Sequence, residues 1–398
     1  ARRAAAGPAR SDRFRREMTT APSLGPRSTR IDLLRGIAIL LVLFHHFNIA
    51  YRLDGTVLSQ LFGWEAVRAV ARNGNYGVTM FFVISGFLIT SNARRRWGAL
   101  QDVKARAFYG LRVARIVPCL LLLLVAVDLL AWGGVAVFQN RAPAGATPLP
   151  LWLVNLASLT FWMNVVVDRY GWTNYALGVL WSLSVEEVFY LFFPILCALL
   201  RRERRLIAFW LAIAVLAPVY RFHRQGDEGG YLYAYFAAFD GIAIGCCTAL
   251  LADSVVLSAR LKTLLTWTVA IAMAFLYLRW PISQSHVLGV TAMALGTAVL
   301  LATMSDRSAD GTAPTRGRWL STAFGWFGRR SYELYLFHLI VLGLLRTLFP
   351  PAHASGGDRM WLLGGYLLLS MALCDAIARC CSEPLNRWLR SRLSVAPA

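Results

Sequence analysis

The chain has 398 residues, of which 57% are hydrophobic and only 16% charged, with a mean hydropathy of +0.52. Soluble domains carry about 25% charged residues and a helix needs about 20 apolar residues to cross a bilayer, so this composition excludes a soluble enzyme and predicts about ten spans. The apolar residues come in long runs rather than in alternation, which excludes an outer-membrane barrel. The net charge of +20 lies between those runs, where cytoplasmic loops collect Lys and Arg, and so does not argue for a nucleic-acid partner.

In chain order, residues 1–30 are polar and basic with scattered Pro and Gly, and are expected to form a disordered cytosolic arm. The first apolar run ends in His-His-Phe-Asn with no small-residue cleavage site, so it is not a signal peptide. Spans are predicted at 33–51, 76–92, 116–137, 182–200, 206–220, 231–251, 264–280, 286–304, 331–348 and 360–381. A further apolar stretch, 149–167, is led by prolines and contains Asn155 and Asn164. If it stays outside, 30 Lys and Arg fall on the inner side and 10 on the outer; if it crosses, the split falls to 22 against 18. The positive-inside rule prefers the first arrangement. The expected fold is therefore an all-α polytopic membrane protein with about ten transmembrane helices and both termini cytosolic. It has a membrane domain at 31–384, an external excursion at 138–181, a short tail at 385–398 and no room for an appended soluble domain. No internal repeat is visible, which weakens a transporter built from repeated halves. The seven cysteines sit in or beside apolar runs without a CxxC, so they read as small apolar residues, and neither a disulfide framework nor a bound metal is predicted.

Ionisable groups inside a bilayer are costly and are the first candidates for function. In the first span Arg35 and His46 are 11 residues apart. At about 100° per residue they share one stripe, ~16 Å apart along the axis, whereas His45 points ~80° away. Asp32 lies on the Arg35 side. Trp181-Ser-Leu-Ser-Val-Glu186-Glu187 opens the fourth span with two adjacent carboxylates, and these can also be read as acids favouring a helix N-terminus. Ser85-Gly86 permits close helix approach in mid-span. Arg112 and Arg115, one turn apart before Pro118, are spaced to hold phosphates. Arg329-Arg330 precede Tyr335 and His338, which are i, i+3 neighbours entering the ninth span. Asp128, Asp240 and His286 read as structural hydrogen-bonders.

Taken together, these features resemble the acyltransferase-3 family of integral membrane O-acyltransferases. The resemblance runs along the whole chain: Arg35 with ten residues before His46, Phe-Phe-Val-Ile-Ser-Gly-Phe-Leu, Arg112-x-x-Arg115 before Pro, Trp-Ser-Leu-Ser-Val-Glu-Glu-x-Phe-Tyr, Ser-Tyr-x-x-Tyr-Leu-x-His, and Glu383-Pro384. It implies transfer of an acyl group, commonly acetyl, from cytosolic acyl-CoA to a hydroxyl on a sugar of an envelope glycan, an exopolysaccharide or a glycosylated metabolite such as a macrolide. It implies His46, Arg35 and Glu186 as the essential residues. The chain departs from the pattern at Ala238, where many relatives have an Arg two residues before Asp240. Relatives acting on peptidoglycan often carry a fused extracellular domain, so that acceptor is not the first expectation.

The mechanism expected from these residues has acyl-CoA as a co-substrate, with no tightly bound cofactor. Its phosphates meet Arg112 and Arg115, with Arg329, Arg330, Tyr335 and His338 as further donor-side candidates. His46 serves as general base, oriented by Glu186. Arg35 is too far along the helix to touch the same atom and belongs to the CoA side. Ser85, Glu187 and Trp181 are candidate substrate contacts. The partners are then acyl-CoA, a glycan or glycosylated acceptor and the bilayer of a bacterial inner membrane, without nucleic acid. The competing class is a secondary transporter using intramembrane His, Glu and Arg; a membrane scaffold would leave the paired Glu and the aligned Arg–His unexplained.

Overall fold

The computed structural model describes residues 29–142, 145–254, 257–304 and 318–393. Nearly all of the expected N-terminal arm lies outside the described residues. The helices run in chain order as α1 (Thr29–Tyr51), α2 (Val57–Phe62), α3 (Trp64–Ala71), α4 (Asn75–Trp97), α5 (Ala105–Trp132), α6 (Leu151–Leu159), α7 (Met163–Tyr170), α8 (Leu180–Leu200), α9 (Glu203–His223), α10 (Glu228–Tyr233), α11 (Tyr235–Leu251), α12 (Ala259–Arg279), α13 (Ile282–Ser285), α14 (Gly289–Met304), α15 (Arg318–Arg329), α16 (Ser331–Leu348), α17 (Gly356–Ile377) and α18 (Glu383–Leu393). No strand occurs among the described residues. Among the described residues nine helical stretches are long and apolar enough to cross a bilayer, and α14 is a shorter apolar helix, so each expected span has its helix. Backbone groups cannot be left open in hydrocarbon, and a helix satisfies them internally.

The stretch 149–167 does not form a crossing helix. It breaks into α6 and α7 at Thr160–Trp162, where Phe161 takes a left-handed φ of 61°. The Met163 amide donates to Ser184 Oγ (3.0 Å), pinning the bend to α8. Nine and eight residues reach only ~13 Å each, well short of the ~30 Å hydrocarbon core.

Close packing is made by glycines, as expected where van der Waals contact rather than a hydrophobic drive holds helices together. A Cβ on Gly86 would run into the carbonyl of Ile242, and one on Gly245 into that of Val83, so α4 and α11 touch backbone to backbone. Gly36 and Gly328 do the same between α1 and α15, against Phe324 and Asp32. Lipid-facing stripes are apolar and exposed, as at Leu121, Val125, Leu129 and Trp132 of α5. Five cysteines are buried and Cys380 is exposed; all seven are free thiols.

One interior feature was not expected. Arg221 reads in sequence as a charge just past the end of a span, yet it is fully buried. It donates to Asp240 Oδ2 (2.7 Å), to Thr291 Oγ1 (2.5 Å) and to the carbonyls of Ala237 and Val287. Thr291 donates to the same carboxylate oxygen (2.6 Å) and the Gly241 amide to the other (2.9 Å). Asp240 is thus fully paired inside the bundle, with its cation coming from α9.

Candidate active site

Two helices frame the site. α1 carries Arg35 and His46, and α16 carries Ser331, Tyr335 and His338. Arg35 donates to Ser331 Oγ through Nε (3.1 Å) and Nη2 (2.8 Å). One level deeper, His46 Nδ1 lies 3.3 Å from His338 Nε2, with ring centroids 4.9 Å apart. The two helices therefore run in the same direction, tied at both levels. Between the ties α1 rises ~16 Å and α16 ~10 Å; the long arginine side chain takes up much of the difference.

The histidine pair has a readable proton arrangement. His338 Nδ1 sits 2.9 Å from the Leu334 carbonyl and 2.8 Å from that of Tyr335, so Nδ1 carries the hydrogen. In the neutral ring Nε2 is then an acceptor. His46 Nδ1 faces that acceptor and the Val42 carbonyl (3.0 Å), so it also carries its hydrogen. His46 Nε2 is left with its lone pair. His45 is turned away as the helical geometry requires: its Nδ1 bonds the Ala71 carbonyl (2.6 Å) and its ring packs against Gly74.

Arg35 lines a cavity of about 850 Å³, counted out to its mouth. The cavity also gathers Ser85 from α4, Arg112 and Arg115 from α5, Ser182, Glu186 and Tyr190 from α8, and Tyr335 from α16. Side chains from five helices and from distant parts of the sequence converge there. Pro118 stands one turn beyond Arg115 inside α5, and Pro194 interrupts the amide ladder of α8. Arg112 is held over the rings of Tyr190 (5.5 Å) and Phe108 (5.8 Å). Tyr190 meets Ser85 Oγ (2.8 Å) and donates to Glu186 (3.4 Å). Tyr335 closes the deep end, bonded to Ser182 Oγ (2.7 Å) and the Val179 carbonyl (3.0 Å). Its ring centroid is 6.1 Å from that of His338. His46 is absent from the cavity lining; it stands behind the layer formed by Tyr335 and His338.

Several expected placements change. The contacts of the His46 ring are to Val42, His338 and His45, while Glu186 faces the cavity with Tyr190. A carboxylate on α8 is directed by its neighbours there, and the group that orients His46 comes from α16. His338, expected on the donor side, lies instead against His46. Arg330 is held by Asp375 (3.3 Å) and Glu383, so acids on α17 and α18 already neutralise it; Arg329 is exposed and does not line the cavity. Trp181 lines a second, smaller cavity with Asn75, Thr79, Phe82 and Tyr231, and meets Phe82 edge-on at 6.0 Å. Glu187 is half-buried beside Glu186, and its buried Oε1 has no hydrogen-bond partner. Asp128 accepts from Asn155 (2.7 Å), and His286 stacks on Tyr231 at 3.9 Å. Arg221 and the role of His338 were missed. The available signal for the first was an intramembrane Asp240 that needed a cation from some other helix.

Comparisons with known proteins agree with this geometry. Residues 28–379 match the family described as Acyltransferase domain, acyltransferase-3. The chain is similar to a putative peptidoglycan O-acetyltransferase, YrhL, of Bacillus subtilis, at 24% identity over 89% of this chain and 54% of the relative. It is also similar to the peptidoglycan O-acetyltransferase OatA of Listeria monocytogenes, at 25% identity over 83% of this chain and 51% of the relative, and to putative O-acetyltransferases of Staphylococcus aureus at 21%. The chain spans about half the length of these curated relatives. No solved structure matches it. With nine candidate spans and bacterial relatives, it is a multi-pass bacterial membrane protein, and with a match across most of its length it belongs to the acyltransferase-3 family of membrane acyltransferases.

Proposed function

We propose that this chain moves an acetyl group from acetyl-CoA, taken from the cytosolic side, to a sugar hydroxyl of an envelope glycan on the other side. The observation that carries the reading is the single cavity joining Arg35, Arg112 and Arg115 to Tyr335, with the His46–His338 pair directly behind it. Arg112 and Arg115 suit phosphates, which guanidinium groups bind as planar forks. The pantetheine arm fits between α4, α8 and α16, with the thioester at the Tyr335–Ser182 end. The names of the relatives favour a cell-wall or other envelope glycan over a macrolide, and the acceptor enters on the His46 side. Positive-inside counting puts the arginine end of the cavity and both termini in the cytosol.

In the reaction, His46 Nε2 takes the proton of the acceptor hydroxyl as its oxygen attacks the thioester carbonyl. The C–S bond breaks, the acyl group stays on the oxygen, and the CoA thiolate recovers the proton from the imidazolium. His338 keeps His46 in the tautomer whose Nε2 is basic, so it acts as a positioning residue. Tyr335 and Ser182 offer hydroxyls at the deep end, where the carbonyl oxygen gains charge. Transfer requires the Tyr335–His338 layer to part so that thioester and hydroxyl can meet.

The test is purified protein in nanodiscs with radiolabelled acetyl-CoA and an isolated envelope glycan fraction. Label entering glycan together with CoA release supports the reading. Proteoliposomes that move glycan across their membrane without releasing CoA would mark a transporter and would overturn it.

A further inference from the structure

Beyond the matched residues 28–379, the chain turns through a π-helical segment, Ala378–Ser382, into α18. The start of α18 is pinned to the base of α16. Glu383 pairs with Arg330, Ser382 Oγ donates to Glu333 Oε1 (2.7 Å), and Arg330 reaches Asp375 (3.3 Å). Ser331 and Tyr332, the next residues of α16, line the cavity. So fixed, α18 packs along α5, the helix that carries Arg112 and Arg115. This brings Arg390 into electrostatic reach of Arg112, Arg115 and Arg96.

The resulting group has more guanidinium than carboxylate charge: Glu187 lies within electrostatic reach of Arg112 and Arg115, against four arginines. None of Arg112, Arg115 and Arg390 makes an ion pair among the described residues. The Nε atoms of Arg112 and Arg390 are both buried without a hydrogen-bond partner. An unpartnered buried guanidinium N–H is costly, and mutual repulsion adds to the cost. Other arginines at helix ends have acids beside them, Arg330 two of them, Arg359 Asp54 and Arg94 Glu203, whereas Arg346 and Arg72, which also bury an unpartnered Nε, stand apart from this group. Here the unmatched donors converge beside the cavity, and the ligand that offsets several guanidinium charges is a phosphate-bearing anion.

We propose that Arg390 of α18 completes, with Arg112 and Arg115, a binding site for phosphate groups at the cavity. The proposal rests on the donor reading of that cavity. It adds that the C-terminal helix is part of the binding site rather than a tail.

The experiment measures CoA binding to the full chain by calorimetry in phosphatidylcholine nanodiscs, then in discs containing phosphatidylglycerol. Arg390→Gln is expected to weaken CoA about tenfold or more, the usual loss for a hydrogen bond to a charged group. Arg390→Lys should lose less, and Arg387→Ala, exposed on the same helix, should bind as wild type. A loss seen in phosphatidylcholine assigns the phosphates to CoA. A loss of phosphatidylglycerol retention with CoA binding intact assigns them to lipid headgroups. No change in either overturns the proposal while leaving the donor reading intact if Arg112→Gln still weakens CoA. If Arg112→Gln has no effect either, the donor reading itself fails. Melting temperatures near wild type for Arg390→Lys keep misfolding from imitating the result.

Discussion

α1 and α12 are nearly indistinguishable as apolar segments. They have 23 and 21 residues and mean hydropathies of 1.7 and 1.6 over their most apolar windows, yet half of the α1 window is buried and only 6% of that of α12. In water such a difference would show as a difference in hydrophobicity. In lipid both environments are apolar, so hydropathy cannot separate the centre from the rim. What separates them is the interruptions. α1 carries Asp32, Arg35, Gly36, His45 and His46, groups that need protein partners or a close backbone approach, and they find these on α3, α15 and α16. α12 exposes Leu264, Trp267, Ile271 and Phe275 to the surrounding lipid.

The comparison is broken most severely at His46. His46→Ala is expected to lower kcat for glycan acetylation by ~10²–10⁴, the range for loss of a general base, with CoA binding retained, while His45→Ala keeps substantial activity. Rates in the same membranes, normalised for expression, check both; a dead His45→Ala with an active His46→Ala would reverse the assignment. His338→Ala should cost less, about 10–100-fold, the scale on which a group that orients another acts, and it should fall in kcat rather than in KM for acetyl-CoA.

Stability provides the next contrast. Arg221→Met leaves a buried carboxylate uncompensated and should cost about 3–5 kcal/mol, read as a lower melting temperature in detergent. The double variant Arg221→Met with Asp240→Leu should recover a large part of the loss. A smaller effect is expected at Gly245→Ala, where the new methyl meets the Val83 carbonyl, whereas Gly364→Ala on α17 meets nothing within 4 Å and should be neutral or gain up to ~1 kcal/mol from helix propensity. The smallest effect belongs to the rim: Ile271→Ala on α12 should leave both rate and melting temperature close to wild type, and a large loss there would mean that the lipid-exposed face of α12 has a protein partner. Orientation is tested separately by accessibility tags, with Ala146 expected outside and Ser308 inside.

Sequence and structure agree wherever one helix decides the matter. The shared stripe of Arg35 and His46, the outward turn of His45 and the failure of 149–167 to cross all follow from helical geometry, prolines and charge counting, and all are seen. Ser85, Arg112, Arg115 and Glu186 lie on one cavity as expected of a common site. Disagreement begins where partner choice between helices decides. Glu186 was paired with His46 because both lie in corresponding halves of their spans, but depth alone does not say which neighbour a side chain meets, and α16 stands between them in the role of partner. Arg330 reads in sequence as a donor-side candidate because its acids, Asp375 and Glu383, lie 45 and 53 residues further along the chain. Arg221 was assigned to a loop because an arginine normally ends a hydropathy run.

The buried Arg221–Asp240 pair also bears on how this protein enters the bilayer. A charge costs up to about 2.5–3.5 kcal/mol at a helix centre and less towards an end, so α9, with Arg221 near its end, and α11, with Asp240 in its second turn, each insert less readily than their apolar residues alone imply. Together the two charges cancel, with Thr291 of α14 closing the network from a third helix. Synthesis delivers α9 first, 19 residues separate Arg221 from Asp240, and Thr291 follows 51 residues after the aspartate. The charge of α9 is therefore offset only once α11, and then α14, have joined it in the bilayer.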